Sequence, residues 1–105
     1  SPYDPALADR SFRLAKALFD RAADIRRSGS AALDMCAIAA GWCELNFEWV
    51  LQPWDYAAVS LILEEAGGRI SRIDGKPLDI YAPCPVVAGN PKAYETFFAE
   101  HLSEL

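Results

Sequence analysis

The sequence places two carboxylates, Glu48 and Asp55, seven residues apart on either side of a proline. Asp55 belongs to the stretch PWDYAAVSLILEEAGG, residues 53–68, and stands beside Trp54 in an apolar run with no adjacent lysine or arginine. An unpaired charge in poorly hydrated surroundings is costly, and a bound cation removes that cost. Because hard oxygen ligands favour magnesium or calcium over zinc or copper, Asp55 is a candidate ligand for one of those two ions.

Both carboxylates also have an explanation that needs no ligand. An acid in the first turn of a helix, as at Asp55, stabilises that helix by about 0.3–1 kcal/mol through the helix dipole. A single glutamate such as Glu48 on the polar face of an edge strand is usually solvated. If the strand ends before Pro53, however, both acids lie at the carboxyl edge of the sheet, where open α/β sheets bind ligands. The residues alone leave both explanations open.

The tripeptide Gly29-Ser30-Ala31 reads as a corner that leads into a helix. The free amides and the positive dipole end at such a corner can receive an anion or a hydroxyl oxygen. The simpler interpretation is that Ser30 caps the helix and Gly29 is a turn residue. These three residues are therefore candidates for ligand binding, with helix capping as the alternative.

Composition narrows the class of protein. At 105 residues the chain has the size of one domain, and its formal net charge of −5 disfavours binding to a nucleic-acid backbone. Cys36, Cys43 and Cys84 are an odd number without a CxxC pair, which argues against a disulfide framework and a zinc site. With no leader-like start and no long uncharged apolar run, we expect a cytoplasmic protein with reduced thiols that is neither exported nor held in a membrane.

Periodicity and helix breakers predict alternating helices and short strands. Helices are predicted at residues 5–23, 30–41, 53–68 and 91–105, and strands at residues 44–51, 69–73 and 85–90. This alternation predicts an α/β fold: a layered α/β/α domain with a mixed, largely parallel sheet flanked by helices, formed by residues 1–105.

Three of these elements carry expectations about burial. The helix at 53–68 is apolar nearly all round between Ala57 and Leu63, which indicates that further protein covers it. In the strand at 44–51, alternation places on one side Leu45, Phe47, Trp49 and Leu51. In the first helix, one apolar stripe is predicted to face the core and contains Leu7, Phe12, Leu14, Ala15, Leu18 and Phe19.

Four segments taken together resemble the C-terminal half of the inositol monophosphatase family. They are GSAALDMCAIAAG, FEWVLQPWDYAAVSLILEEAGG, DGKPLDIY and VVAGNP, which occur in the family's order and spacing. The resemblance runs from about Ser1 to the end of the chain. It implies that Asp55 is a metal ligand close to the ester oxygen of the substrate. It also implies that Glu48 binds sugar or cyclitol hydroxyls and that the backbone at Gly29, Ser30 and Ala31 borders the same substrate group.

The resemblance further implies a reaction and its partners. The family hydrolyses small phosphate monoesters such as inositol monophosphate, or a similar sugar or cyclitol phosphate, with Mg2+, and its members are homo-oligomers. Its other metal carboxylates come from an upstream Asp-Pro-Ile/Leu-Asp-Gly-Thr motif and a preceding glutamate pair, which do not occur in these 105 residues. We therefore expect that an N-terminal metal-binding half is missing and that the segment alone is inactive, with no catalytic residue of its own.

An alternative of a different class is a non-catalytic binding or oligomerisation domain that keeps the fold. Under this hypothesis, uncovered apolar surface around Trp49, Trp54 and the helix at 53–68 binds a partner or another copy of the chain.

Overall fold

The computed structural model describes residues 5–21, 30–78 and 82–105. In chain order the elements are α1 (Pro5–Phe19), α2 (Ala31–Ala39), β1 (Leu45–Leu51), α3 (Pro53–Glu65), β2 (Arg69–Arg72), β3 (Cys84–Gly89) and α4 (Pro91–Ala99), followed by a short 3-10 helix (Leu102–Glu104). All seven predicted elements are present, and most end a few residues earlier than predicted.

The three strands form one sheet in the order β1-β3-β2. The layered α/β class is confirmed, but the predicted parallel direction is wrong for the described pairs, because β3 runs antiparallel to both neighbours. The reason lies in the connection through α3. The helical crossover does make β1 and β2 parallel to each other, but β3 then inserts between them, as in a split βαβ unit.

Helices cover both faces of the sheet and make it a three-layer domain. On one face α2 and α3 bury a cluster formed by Met35, Ile38, Leu51, Tyr56, Val59, Leu63, Cys84, Val86 and Ala88. On the other face α1, α4 and the 3-10 helix bury Leu14, Trp49, Ile73, Val87, Phe97 and Leu102. Since β3 contributes to both clusters, it is the buried central strand of the sheet, and its continuous apolar run is typical of a strand covered on both faces.

An irregularity in β1 redirects the end of that strand. The pairing with β3 shifts register between Glu48 and Leu51. Trp49 therefore packs on the α1–α4 face, whereas Leu51 packs on the α2–α3 face. The predicted placement of both residues on one side is wrong, because an irregular pairing of this kind breaks the two-residue alternation. Trp49 is only 7% exposed, so the predicted uncovered surface does not include it.

α1 buries a narrower stripe than its sequence predicts. Leu7, Leu14 and Leu18 pack against the sheet. Phe12 and Phe19 are exposed to solvent by 77% and 54%, contrary to the prediction that they face the core. The buried stripe suffices to dock the helix, so two aromatic residues remain on its outer side.

Arg10 ties α1 to the sheet and to the end of the chain. Its guanidinium carbon lies 4.5 Å from the centre of the Trp49 ring, and its Nε donates a hydrogen bond to the Leu105 carbonyl at 2.9 Å. A guanidinium over a tryptophan face is a favourable cation–π contact. None of the helices in the described part of the chain is long and apolar enough to cross a membrane.

Candidate functional site

Asp55 lies in the first turn of α3, where a reciprocal capping box holds it. The Gln52 N–H donates to Asp55 Oδ2 at 3.1 Å, and the Gln52 side chain accepts from the Asp55 N–H. Pro53 starts the helix because it needs no partner for a backbone N–H at that position. The helix-stabilising role predicted as the simpler alternative is therefore present. It engages one carboxylate oxygen, and Oδ1 has no hydrogen-bond partner among the described residues.

The two aromatic residues that flank Asp55 have opposite environments. Trp54 is 78% exposed, so the poorly hydrated setting expected on that side is not found in this chain. Tyr56 is fully buried, and its hydroxyl donates to the Ala82 carbonyl at 3.3 Å and accepts from the Cys84 thiol at 3.7 Å. Tyr56 thus anchors the start of α3 to β3 and the segment before it, and that anchor fixes the position of Asp55.

Glu48 lies on β1 opposite Val86, before the register shift. Directly opposed residues of an antiparallel pair share a face of the sheet, and Val86 belongs to the α2–α3 face. Glu48 is half-buried there rather than on a solvated outer face. The structure therefore places Glu48 on the same side of the sheet as α3, which carries Asp55.

The corner before α2 also lies on this side. Ser30 is the N-cap, and its side-chain oxygen accepts a hydrogen bond from the Leu33 N–H at 3.3 Å. Ala31 is partly buried against the cluster that contains Met35 and Tyr56. Gly29, the third predicted residue of the corner, lies outside the described residues. The capping role of Ser30 is confirmed. A ligand-binding role for the neighbouring backbone stays a prediction.

A metal ion needs more ligands than this part of the chain supplies. Mg2+ prefers six oxygen ligands in octahedral geometry and usually retains several waters. Within residues 5–21, 30–78 and 82–105, no group of three or more histidine, cysteine, aspartate or glutamate side chains can hold a metal ion. The free oxygen of Asp55 fits the role of one ligand, but the described residues do not complete a metal site by themselves.

Sequence analysis missed Gln52, the residue that orients the candidate ligand. A weak signal was present, because Gln52 and Asp55 have the three-residue spacing of a capping box, although that motif usually pairs serine or threonine with glutamate or glutamine. Glutamine is an unusual N-cap residue, and the spacing alone therefore did not stand out. Two further polar atoms were also missed: Asn46 Nδ2 and Trp49 Nε1 are buried without a hydrogen-bond partner in the described part of the chain.

Glu48, Ser30, Ala31 and Asp55 lie about one face of the sheet, and a comparison with protein families covers the part of the chain that contains them. The model of the inositol monophosphatase family matches residues 4–105. The chain belongs to this family. The family match covers the segments whose resemblance was noted above, and it includes every candidate site residue.

Individual members of the inositol monophosphatase family show how close the similarity is. The chain is 43% identical to Nus factor SuhB of Escherichia coli K12 over 88 residues, which are 84% of this chain and 33% of that protein. It is 40% identical to inositol-1-monophosphatase of Bacillus subtilis over 85 residues, 81% of this chain and 32% of that enzyme. The chain therefore spans about a third of the length of these curated relatives.

A solved structure of the family supports the fold. The crystal structure of an IMPase/NADP phosphatase complexed with Mg2+ and phosphate superimposes with a TM-score of 0.77 at 27% identity. The superposition covers 84% of this chain and 34% of that one. The three-layer arrangement described above is thus the inositol monophosphatase α/β fold over the part that this chain contains.

Proposed function

We propose that this chain is the C-terminal segment of a magnesium-dependent phosphomonoesterase that acts in the cytoplasm on inositol monophosphate or a similar sugar or cyclitol phosphate. The proposal rests mainly on the carboxylate of Asp55, one oxygen of which is available to bind a ligand. The capping box uses one of its oxygens and leaves Oδ1 without a hydrogen-bond partner in the described part of the chain. The names of two relatives support it, since one is an inositol-1-monophosphatase and the other holds Mg2+ and phosphate.

Each candidate residue has a role in this proposal. Bound Mg2+ supplies Lewis acidity, which activates water and stabilises negative charge on the leaving oxygen. Asp55 contributes one carboxylate oxygen to hold the ion, in an orientation set by Gln52. Glu48 accepts hydrogen bonds from hydroxyls of the leaving alcohol, and the backbone of Gly29, Ser30 and Ala31 borders the same group.

The outer surface of α3 supports the view that this segment works as part of a larger protein. Residues on that surface are exposed although they are apolar, and they share one side of the helix: Trp54, Ala57, Ala58, Leu61 and Ile62. An apolar helix surface of this kind is normally covered by protein. We therefore propose that further metal-binding residues lie in polypeptide that covers α3, and that the 105-residue segment alone is inactive.

A chimeric enzyme tests this proposal. In it, the chain replaces the matching 85 residues of the Bacillus subtilis inositol-1-monophosphatase, and phosphate release from inositol monophosphate is measured against Mg2+ concentration. We expect the chimera to be active with Mg2+ and the isolated chain to release no phosphate above background. In the chimera, Asp55→Asn lowers kcat by at least about a hundredfold, because the Mg2+ loses a charged ligand.

Two further variants separate substrate binding from metal binding. Glu48→Gln raises KM by about tenfold with a smaller change in kcat, because it removes a charged hydrogen-bond acceptor for the alcohol. Glu64→Gln is the control, since Glu64 is an exposed acid at the far end of α3. A folded chimera without Mg2+-dependent activity contradicts the proposal and supports the alternative of a non-catalytic binding domain. Full activity of the Asp55→Asn chimera contradicts the role of Asp55.

A further inference from the structure

β1 carries a second polar side chain on the same face of the sheet as Glu48. Asn46 lies opposite Ala88 of β3, and that residue belongs to the α2–α3 cluster, as does the partner of Glu48. Opposed residues of an antiparallel pair share a face, so Asn46 and Glu48 lie side by side on it. Their Cα atoms are two strand positions apart, which is about 6.8 Å. Asn46 is therefore the neighbour of the residue proposed to bind the leaving alcohol.

The side-chain amide of Asn46 lacks an acceptor. Its Nδ2 is shielded from solvent and has no hydrogen-bond partner in the described part of the chain. A buried donor without an acceptor is unfavourable, and the large majority of buried polar side-chain atoms in proteins have a partner. The α2 side chains packed against the cluster on this face are apolar or thiol groups: Ala31, Met35, Cys36, Ile38 and Ala39. Glu48 is the neighbour best suited to accept from Asn46, because a carboxylate offers about four lone-pair sites.

We propose that Asn46 is a positioning residue for Glu48, to which its Nδ2 donates a hydrogen bond. Rotation of the longer Glu48 side chain along the strand brings its carboxylate within reach of Nδ2. The bond engages one lone pair of the carboxylate, and the remaining lone pairs accept from hydroxyls of the leaving alcohol. Asn46 itself does not contact the substrate. The role of Glu48 in this inference rests on the proposed function, whereas the hydrogen bond does not depend on it.

The hydrogen bond is expected to act on substrate binding rather than on the chemical step. A glutamate side chain has several rotamers, and a charge-assisted hydrogen bond removes part of this freedom before the substrate binds. Less conformational entropy is then lost on binding. Because Glu48 is proposed to contact the alcohol and not the reacting phosphate, loss of its positioning raises KM and changes kcat little.

Side-chain amide NMR tests the hydrogen bond in the 105-residue chain. The sequence contains only three carboxamide side chains, Asn46, Gln52 and Asn90, so their NH2 signals are readily assigned. Glu48→Met keeps the length of the side chain and removes the carboxylate. It is expected to move an Asn46 amide proton upfield, because a hydrogen bond to a charged acceptor is lost. The signals of Asn90, whose Oδ1 caps α4 by accepting from the Ala93 N–H, are the internal reference.

A second acid provides the matched control for this measurement. Asp34 is also a half-buried acid and lies on α2. Asp34→Ser is expected to leave the Asn46 signals unchanged, and circular dichroism shows whether both variants keep their helix content. The inference is wrong if the Asn46 signals stay in place in the Glu48→Met chain. It is also wrong if they move as far in the Asp34→Ser chain.

The chimeric enzyme tests the effect on substrate binding. Asn46→Leu removes the donor at similar volume and is expected to raise KM for inositol monophosphate about fivefold, with kcat changed less than about twofold. The leaving group of p-nitrophenyl phosphate carries no further hydroxyl for Glu48 to bind, so KM for this substrate is expected to stay within about twofold. In the Glu48→Met chimera, Asn46→Leu raises KM no further, because Asn46 acts through Glu48.

The two experiments separate this inference from the proposed function. Similar rises in KM for both substrates, or a further rise in the Glu48→Met chimera, overturn the positioning role, because they indicate a general structural defect. A chimera without Mg2+-dependent activity contradicts the proposed function, and the NMR measurement then still decides whether Asn46 bonds to Glu48. Unmoved Asn46 signals in the Glu48→Met chain overturn the inference even when the chimera is active.

Discussion

Gln52 and Asp55 hold one another at the start of α3: the Gln52 N–H donates to Asp55 Oδ2 at 3.1 Å, and the Gln52 side chain accepts from the Asp55 N–H. This reciprocal bonding reconciles the two explanations of Asp55 that the sequence leaves open. One carboxylate oxygen stabilises the helix, and the other is available to bind a ligand. A local structural role and a ligand role therefore occupy different atoms of one side chain.

Substitutions at Asp55 are expected to separate these two roles. Asp55→Ala removes the acceptor for the Gln52 N–H and lowers the free energy of unfolding by about 1 kcal/mol. Asp55→Asn keeps an oxygen acceptor, so its loss is expected to be less than about half of that value. Urea denaturation of the isolated chain measures both. Equal losses for the two variants contradict a stabilising role for the acceptor oxygen.

The buried hydroxyl of Tyr56 is expected to contribute to stability. Tyr56→Phe leaves the Ala82 carbonyl and the Cys84 thiol without this partner and costs about 0.5–1.5 kcal/mol of the free energy of unfolding. Trp54→Phe is the control, because Trp54 is largely exposed next to it and its replacement should change stability by less than about 0.5 kcal/mol. Thermal or urea denaturation gives the comparison, and a neutral Tyr56→Phe variant contradicts it.

Two leucines on α3 provide a matched test of the layer arrangement. Leu63 is fully buried between the helix and the sheet, whereas Leu61 is 61% exposed. Leu63→Ala is expected to cost about 2–5 kcal/mol because it leaves a cavity in the α2–α3 face. Leu61→Ala is expected to cost less than about 0.5 kcal/mol in the isolated chain. Similar losses at both positions contradict the orientation of α3 described above.

The turn after β2 predicts a dependence of stability on pH. A hydrogen bond from the Lys76 N–H, with smaller contributions from Arg72, lowers the pKa of Asp74 below its ordinary value of 3.8. A carboxyl whose pKa is lowered by folding stabilises the folded state above its unfolded pKa, and this contribution is lost as the pH falls through the folded pKa. The contribution is therefore present above about pH 4 and disappears below it.

Asp74→Asn tests this dependence, because it removes the titrating group and keeps an acceptor. Urea midpoints measured between about pH 2 and pH 6 should fall less steeply with acid in the variant than in the parent. Glu65→Gln, at an exposed position on α3, is the control and should leave the slope unchanged. If the parent and Asp74→Asn curves are parallel below pH 4, the hydrogen bond from Lys76 does not stabilise the folded state.

The start and end of α3 were readable from sequence because their signals are local. Pro53 suits the first turn of a helix, and Gly67 has a φ of 88°, a left-handed conformation that favours glycine after a helix end. The Ser30 cap and the presence of a strand at β3 were predicted for similar reasons. Such features depend on the backbone preferences of a few consecutive residues, or on the hydrophobicity of one short run.

The direction of the strands, the two sides of β1 and the outer surface of α1 were decided only by the tertiary structure. β3 inserts between β1 and β2, and the register shift after Glu48 turns Trp49 and Leu51 to opposite faces. Phe12 remains outside because Leu14 and its neighbours already fill the contact with the sheet. The sequence by itself determined the family, the order of elements and the identity of Asp55 as a candidate ligand. Which face each residue occupies depends on contacts between segments far apart in the chain, and no local pattern encodes that choice.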